Sequence, residues 1–278
     1  MEQTTKQKGF TGFQLKYIAM ALMVLDHIHY FFEFTGKIPI WFSMLGRLAA
    51  PLFLFCLIEG FTHTHNRTKY FLQIYSIAIG MGLVQFILLN FLKRPDGFYP
   101  QNQMLATFSI LLVILQGLDW CAKKQWAKGL PAIIVPIILP YLAMFIGNAF
   151  PSTWLVINIL HFTILPLHTW IMDGGTLFIL QGILMYLLHK HRKCQVTVFA
   201  ISNIIFYAIF PLITMPGMTI KLLFTQAFEW MGAFAAILML FYNGERGKGS
   251  KKLFYWFYPA HIYILCGLSY LLYFLMNK

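Results

Sequence analysis

The chain has 278 residues, of which 59% are hydrophobic and 11% charged, and its formal net charge at pH 7 is +12. So many apolar residues would have to cover the surface as well as fill the core, which excludes a soluble globular protein. The basic residues lie in the gaps between apolar runs, which is typical of the positive-inside rule of membrane proteins and not of a nucleic-acid surface.

A membrane span needs about 20 mostly apolar residues. Runs of this kind predict an all-α fold, a polytopic bundle of transmembrane helices that forms a single domain over residues 1–278. The predicted helices cover residues 13–34, 40–62, 70–92, 104–119, 130–149, 174–189, 195–214, 219–241 and 253–276. Pro136 and Pro140 predict a kink or break in the fifth helix, and Asn102 is placed to cap the fourth.

Residues 153–170 are apolar but are interrupted by a proline and two histidines. A full crossing by this segment would put the basic run 189–193 outside, against the positive-inside rule. We therefore predict about nine spans, with residues 153–170 re-entrant or lying at the outer interface. The N-terminus is then cytoplasmic, as a short segment of residues 1–12 that carries Lys6 and Lys8.

Ionisable residues lie well inside the first two apolar runs. Asp26 and His27 are in the first run, and Arg47 is in the second. A charge in the hydrocarbon core costs roughly 2.5–3.5 kcal/mol on insertion scales, so such residues are rare unless they have a use. His27 and Arg47 are both predicted roughly 10 Å below the outer surface, so their side chains can meet if the helices are neighbours.

This first group predicts catalytic chemistry. A desolvated His27 would act as a general base toward an amine or hydroxyl nucleophile, while Arg47 neutralises Asp26 or stabilises an oxyanion. Asp26 points about 100° away from His27 on a helix, so it pairs either with Arg47 or with His29. The alternative is an Asp26–Arg47 pair that only locks two helices together.

A second polar group lies at the predicted cytoplasmic side. Glu59 and Arg67 are near the end of the second helix, while Asn243, Arg246 and Lys248 occupy a glycine-rich loop. Basic glycine-rich loops bind phosphates, but an ordinary helix stop with positive-inside charges has the same pattern. The sequence contains no metal-ligand spacing, nucleophile elbow or P-loop.

The last predicted helix begins with the aromatic run 254–258, which is typical of a membrane interface. His261 lies about 12 Å into this helix from the cytoplasmic side. As an intramembrane histidine it is a stronger candidate for function than His63 or His65, which we expect to be solvated.

Three motifs in this order resemble the TraX family of membrane proteins. They are LKYIAMALMVLDHI from residue 15, LGRLAAPLFLFCLIEGFTHTHNRTKY from residue 45, and YNGERGKGSKKLFYWFYPAHIYIL from residue 242. That family resembles the acyltransferase-3 and heparan-glucosamine acetyltransferase group. The resemblance implies an acetyl-CoA-dependent acetyltransferase of the bacterial cell membrane that acetylates the N-terminus of a pilin-like peptide.

The resemblance also implies roles for the residues that match the motifs. The implied catalytic residues are Asp26, His27 and Arg47. The donor-binding set comprises Glu59, Asn243, Arg246, Tyr258 and His261, with Arg67 and Lys248 from the same basic loops. The chain departs from the arginine-x10-histidine pattern of acyltransferase-3 proteins, which leaves the identity of the base open.

The expected partners are acetyl-CoA, a peptide or other acceptor, and the lipid bilayer, with no nucleic acid and no metal. Three other functions stay open at this stage. A sugar hydroxyl can replace the peptide amine as acceptor. A transporter or flippase for an anionic solute or lipid also explains intramembrane charges. A non-catalytic assembly protein would use the same polar residues only to lock helices.

Overall fold

The computed structural model describes residues 9–277, and these residues form helices joined by turns, with one isolated β-bridge and no β-strand. The predicted all-α fold is confirmed. Most of the predicted N-terminal segment, with Lys6 and Lys8, lies outside the described residues. Lys278 also lies outside the described residues.

The described residues contain thirteen α-helices. They are α1 Gly12–Phe32, α2 Trp41–Gly46, α3 Ala49–His63, α4 Arg67–Phe91, α5 Met104–Ala122, α6 Trp126–Ala149, α7 Trp154–Phe162, α8 Gly175–Leu187, α9 Arg192–Ile204, α10 Phe210–Thr214, α11 Ile220–Thr225, α12 Ala235–Leu240 and α13 Lys251–Met276. Shorter 3-10 segments lie at Glu33–Thr35, Pro151–Thr153 and Phe228–Phe234, and a π-helical turn at Ile205–Ile209 joins α9 to α10.

Within the described residues, six helical stretches are long and apolar enough to cross a membrane. They are Trp41–His63, Arg67–Phe91, Met104–Ala122, Trp126–Ala149, Arg192–Thr214 and Lys252–Met276. The shorter stretches Gly175–Leu187 and Phe228–Leu240 are also apolar. The chain is therefore a multi-pass membrane protein, while the count of nine spans and the cytoplasmic N-terminus stay predictions.

The chain divides into two compact units, each built from two separate stretches. The first unit is the described part of Met1–Gly60 together with Leu184–Phe254. The second unit is Phe61–Ile183 together with the described part of Tyr255–Lys278. In the first unit α1 packs on α2, and α9 packs on α12 and on the 3-10 segment Phe228–Phe234. In the second unit α4 and α6 both pack on α5, and α4 also contacts α7.

The predicted second helix, 40–62, is interrupted between α2 and α3, at Arg47 and Leu48. Pro51 supplies the reason, because a proline has no N–H to donate to the carbonyl four residues earlier, which is that of Arg47. The backbone tightens here, and the Leu48 N–H donates to the Leu45 carbonyl at 3.2 Å. The interruption places Arg47 at a turn in the middle of the apolar run.

The predicted helix 219–241 is not continuous either, and in this respect the prediction is wrong. α11 ends at Thr225, and a 3-10 segment precedes α12. The indole N–H of Trp230 donates to the Leu223 carbonyl at 2.9 Å, which satisfies a carbonyl in the last turn of α11. As a result, Glu229 lies in the first turn of the 3-10 segment.

Two finer predictions concern α6 and the start of α5. α6 continues through Pro136 and Pro140, so the break that was predicted as one possibility does not form, while a kink stays a prediction. Asn102 does not cap α5, since the residue at the N-cap is Gln103, which makes no side-chain cap hydrogen bond. The side-chain amide of Asn102 donates instead to the Tyr263 hydroxyl at 3.2 Å.

The segment between α6 and α8 contains only a 3-10 turn and the nine-residue α7. A helix of this length is too short to span the hydrocarbon core. The turn before α8 docks on α5, because the Thr107 hydroxyl donates to the Asp173 carbonyl at 3.1 Å and accepts from the Gly175 N–H at 3.3 Å. The re-entrant or interfacial placement of this segment stays a prediction.

Candidate functional site

An ion pair joins α1 to the turn after α2 in the first unit. Arg47 Nη2 lies 2.8 Å from Asp26 Oδ1, and the Ser43 hydroxyl donates to the same carboxylate oxygen at 3.2 Å. Arg47 also donates to Ser43 Oγ at 2.8 Å. Gly46 permits this approach, because a Cβ at that position would overlap the Asp26 side chain. Of the two partners that the sequence left open for Asp26, the structure shows Arg47.

A second carboxylate contacts Arg47, and sequence reasoning missed it. Glu229 Oε1 lies 3.4 Å from Arg47 Nη1, and its side chain is 49% exposed, whereas that of Asp26 is 21% exposed. Gly232 allows the 3-10 segment to come this close, since a Cβ there would lie 3.2 Å from the Arg47 carbonyl oxygen. A signal was present in the sequence, because Glu229 is also an acid inside an apolar run.

The His27 ring is oriented by the backbone of its own helix. Its Nδ1 lies 2.7 Å from the Met23 carbonyl oxygen, which can only accept, so Nδ1 carries the proton in this bond. In the neutral ring Nε2 is therefore the nitrogen that accepts a proton. The ring lies within electrostatic range of Asp26 and Arg47 and stacks on Phe31, with 6.1 Å between ring centroids.

The glycine-rich loop 242–249 holds the start of α1. The backbone N–H groups of Gly12 and Phe13 donate to the carbonyls of Glu245 and Arg246 at 2.8 and 3.0 Å. A capping box on the preceding threonine engages further backbone donors of the same turn. The first turn of α1 is therefore already hydrogen-bonded within the protein, and it does not present these N–H groups to a phosphate.

The side chains of the loop have different environments. Asn243 Oδ1 accepts from the Glu245 N–H at 2.9 Å, so this side chain shapes the loop. Arg246 and Lys248 are exposed, and the Arg246 guanidinium lies 5.5 Å from the centre of the Phe13 ring. A phosphate at this loop would be held by these two cations rather than by a helix N-terminus.

Glu59 forms an ion pair with Arg192 at 3.0 Å. The Arg192 guanidinium lies 4.6 Å from the centre of the Phe55 ring and 5.0 Å from that of Tyr242. Burial and the nearby Glu59 carboxylate raise the pKa of Tyr242 to about 12, so its phenol stays neutral. These contacts connect α3, α9 and the loop; the predicted role of Glu59 in donor binding stays a prediction.

The remaining donor-binding candidates belong to the second unit. Arg67 pairs with Asp119 at 2.8 Å. His261 Nδ1 lies 2.7 Å from the Phe257 carbonyl oxygen, and its ring contacts Tyr258 edge-on, with 5.8 Å between centroids. His261 is therefore oriented in the same way as His27, since the Nδ1 of each ring bonds to the backbone carbonyl four residues earlier in its helix. The predicted roles of Arg67, Tyr258 and His261 stay predictions.

Comparison with known proteins identifies the family. The sequence profile described as "TraX protein" matches residues 11–269 of the chain. The chain belongs to the TraX family. A relative from Dichelobacter nodosus, described as "Probable fimbrial assembly protein FimC, serogroup H1", is 24% identical in an alignment of 272 residues that covers 93% of this chain and 95% of the relative. No solved structure matches the chain. The resemblance inferred from three motifs is confirmed.

The second unit of this TraX-family chain also contains a small polar cavity of about 10 Å³, which is close to the room that one water molecule needs. Asn102, Gln103 and His161 line it, together with residues of α4. His161 Nδ1 accepts from the Leu167 N–H at 3.1 Å, and Nε2 lies 3.2 Å from the Gln103 amide. Because Nδ1 accepts, Nε2 carries the proton of the neutral imidazole and faces the Gln103 side-chain amide.

This buried histidine predicts a loss of stability in acid. Burial lowers the pKa of His161 from 6.5 to about 4, so the unfolded chain binds a proton that the folded TraX-family protein does not. Stability is then complete above pH 6.5 and falls progressively as the pH drops toward 4, by up to about 3 kcal/mol. We expect the melting temperature of the wild type in detergent to fall more between about pH 7 and pH 5 than that of His161→Gln. Parallel pH curves for the two proteins would contradict this prediction.

Proposed function

We propose that this TraX-family chain is an integral-membrane acetyltransferase of the bacterial cell membrane. It would move an acetyl group from cytosolic acetyl-CoA to the N-terminal amine of a peptide. The observation that carries the proposal is His27, with Nε2 as its proton-accepting nitrogen, beside the Asp26–Arg47 pair. The fimbrial assembly function in the name of the relative supports a pilin-like peptide as the acceptor.

The residues of this cluster fit the chemistry of acetyl transfer. The acceptor amine attacks the thioester carbonyl, the C–N bond forms, and the C–S bond breaks. His27 Nε2 takes the proton that the amine loses and passes it to the leaving sulfur, which becomes the thiol of CoA. Arg47 donates an N–H hydrogen bond to the oxyanion that develops during the attack, while Asp26 and Ser43 hold its guanidinium in place.

The donor nucleotide carries several phosphates, and the loop 242–249 offers exposed cations for them. Arg246 and Lys248 are the side chains that we assign to this contact, and Asn243 holds the loop conformation. Charge-assisted hydrogen bonds from such side chains to phosphate are about twice as strong as neutral ones. Glu59 contributes indirectly through Arg192, which lies against Tyr242 at the start of the loop.

Thermal unfolding of the purified protein in detergent with acetyl-CoA tests donor binding. A ligand at 100 times its Kd stabilises the folded state by roughly 2.7 kcal/mol, and a tenfold weaker ligand at the same concentration by about 1.4 kcal/mol. We expect Arg246→Ala to bind acetyl-CoA at least tenfold more weakly than the wild type. Its stabilisation by acetyl-CoA should therefore be smaller by at least the difference between these two values. The substitution removes the charge but keeps the backbone carbonyl that accepts from the Phe13 N–H.

Lys128→Ala is the matched control, because Lys128 is another exposed cation, outside the predicted donor set. It should keep the full stabilisation by acetyl-CoA. If acetyl-CoA, longer acyl-CoAs and CoA all fail to stabilise the wild type, the acetyltransferase proposal is wrong. The transporter or assembly alternative would then be favoured.

A further inference from the structure

Glu229 carries a charge that the Asp26–Arg47 pair does not need. Asp26 already neutralises Arg47 at 2.8 Å, whereas Glu229 approaches the same guanidinium only at 3.4 Å and is half exposed. One guanidinium facing two carboxylates leaves a net negative charge when His27 is neutral, as its role as proton acceptor requires. In an apolar environment such a charge is unfavourable unless a cation compensates it.

A buried hydrogen-bond acceptor lies beside the same segment. Asn203 is 2% exposed, and its Oδ1 has no hydrogen-bond partner among the described residues. Its amide nitrogen lies 3.2 Å from the position that a Cβ on Gly232 would occupy, so the amide flanks the 3-10 segment that carries Glu229. A buried acceptor without a partner costs free energy, and it indicates a missing N–H or O–H donor.

The position of Glu229 is set by its surroundings. The bond from Trp230 to the Leu223 carbonyl connects the 3-10 segment to α11, and the close approach of Gly232 to Arg47 brings it against the turn after α2. The phenol of Tyr207 lies within electrostatic range of the Glu229 carboxylate and adds no charge when neutral. In the described residues, Arg47 is the cation with which Glu229 forms an ion pair.

We infer that Glu229 and the Asn203 amide form a subsite for the protonated α-amine of the acceptor peptide. A primary ammonium supplies both things that are missing, a positive charge for the cluster and N–H donors for the buried amide oxygen. A sugar hydroxyl supplies no charge, so the subsite favours a peptide amine over a sugar acceptor. This inference rests on the proposed acetyltransferase function.

The subsite is compatible with the transfer step. A peptide α-amine has a pKa of about 7.7–8.0 in water, so it arrives mostly protonated at neutral pH. The bound ammonium gives its first proton to the Glu229 carboxylate, whose side chain is 49% exposed. The neutral amine then attacks the thioester, and His27 takes the second proton as the amide forms.

A binding measurement on the full chain in detergent tests the subsite. The probe is an apolar hexapeptide with a C-terminal fluorophore, prepared either with a free α-amine or with an N-acetylated terminus. We expect the wild type to bind the free-amine form at least about tenfold more tightly, since a site built for a polar group rejects an analogue that lacks it. Glu229→Gln should abolish this preference, and Glu229→Asp should retain it in part.

Two further variants separate binding from folding. Glu33→Gln removes an exposed carboxylate of the same unit outside the cluster, and it should keep the preference. Asn203→Leu removes a buried amide oxygen without a partner, so it should raise the melting temperature and still weaken binding of the free-amine peptide. A purely structural role for Asn203 would not produce a more stable protein with weaker binding.

The inference is overturned if the wild type shows no preference for the free amine, or if Glu229→Gln keeps a tenfold preference. Stabilisation by acetyl-CoA, measured on the same preparations, separates this inference from the proposed function. If the stabilisation is present without an amine preference, only the subsite is wrong. An amine preference without any stabilisation by acetyl-CoA or other acyl donors would keep the subsite and reject the acetyltransferase.

Discussion

Replacing His27 with alanine should lower the rate of acetyl transfer about 10²–10⁴-fold, which is the range that a general base contributes. The bond from Nδ1 to the Met23 carbonyl orients Nε2, and the substitution removes the ring together with this orientation. The Asp26–Arg47 ion pair does not include the imidazole, so the protein should stay folded. The measurement is CoA release by reconstituted protein at saturating acetyl-CoA with the free-amine hexapeptide.

His63→Ala is the control for this experiment, since His63 is an exposed histidine at the end of α3. It should retain wild-type activity. His27→Ala should also keep its stabilisation by acetyl-CoA, because the predicted donor contacts are elsewhere in the sequence. Full acetyl transfer by His27→Ala would reject the assignment of His27 as the base, and restoration of the rate by added imidazole would strengthen it.

Gly82→Ala should have the largest effect on stability. A Cβ on Gly82 would overlap the Phe162 carbonyl, so the added methyl group forces α4 and α7 apart. The obstacle is a backbone atom, which cannot move aside by changing a rotamer. Overpacking of this kind costs about 1–3 kcal/mol, and we expect the upper end of that range. The melting temperature in detergent should fall by roughly 6–12 °C, at about 2–4 °C per kcal/mol.

Gly80→Ala is the matched control, two residues earlier in the same helix. No heavy atom lies within 4 Å of a Cβ built on Gly80, so the methyl group meets no obstacle. Alanine is favoured over glycine in a helix by about 0.8–1.0 kcal/mol, so this variant should be at least as stable as the wild type. Equal melting temperatures for the two variants would contradict the close contact between α4 and α7.

The candidate site was predictable in part from the sequence. Asp26 and Arg47 stand out because a charge inside an apolar run is costly, and the short connection between their helices favours contact. Glu229 satisfies the same criterion but is far from both in the chain. Its contact with Arg47 depends on the end of α11 at Thr225 and on the close approach of Gly232, which hydropathy does not report.

The loop 242–249 shows the opposite case. Its glycines and cations predict a phosphate site, and the exposed side chains of Arg246 and Lys248 are free of burial and can contact a phosphate. In the structure, however, the backbone carbonyls of Glu245 and Arg246 accept hydrogen bonds from the first N–H groups of α1. A motif near the C-terminus therefore has a structural role at the N-terminal helix. The two segments are more than 200 residues apart in the sequence, and hydrogen bonds between them do not produce a periodic hydrophobic pattern in either one.

The sequence by itself determined the class of this protein, the main apolar helices and the family. Hydropathy and motif order suffice for these, because the bilayer requires long apolar helices whatever their partners are. Only the tertiary structure decided where those helices break and which polar groups meet. Pro51 removes a backbone donor at a predictable place, but Glu229, which also contacts Arg47, comes from a segment that is distant in the chain. Such contacts depend on packing between segments, which local sequence does not specify.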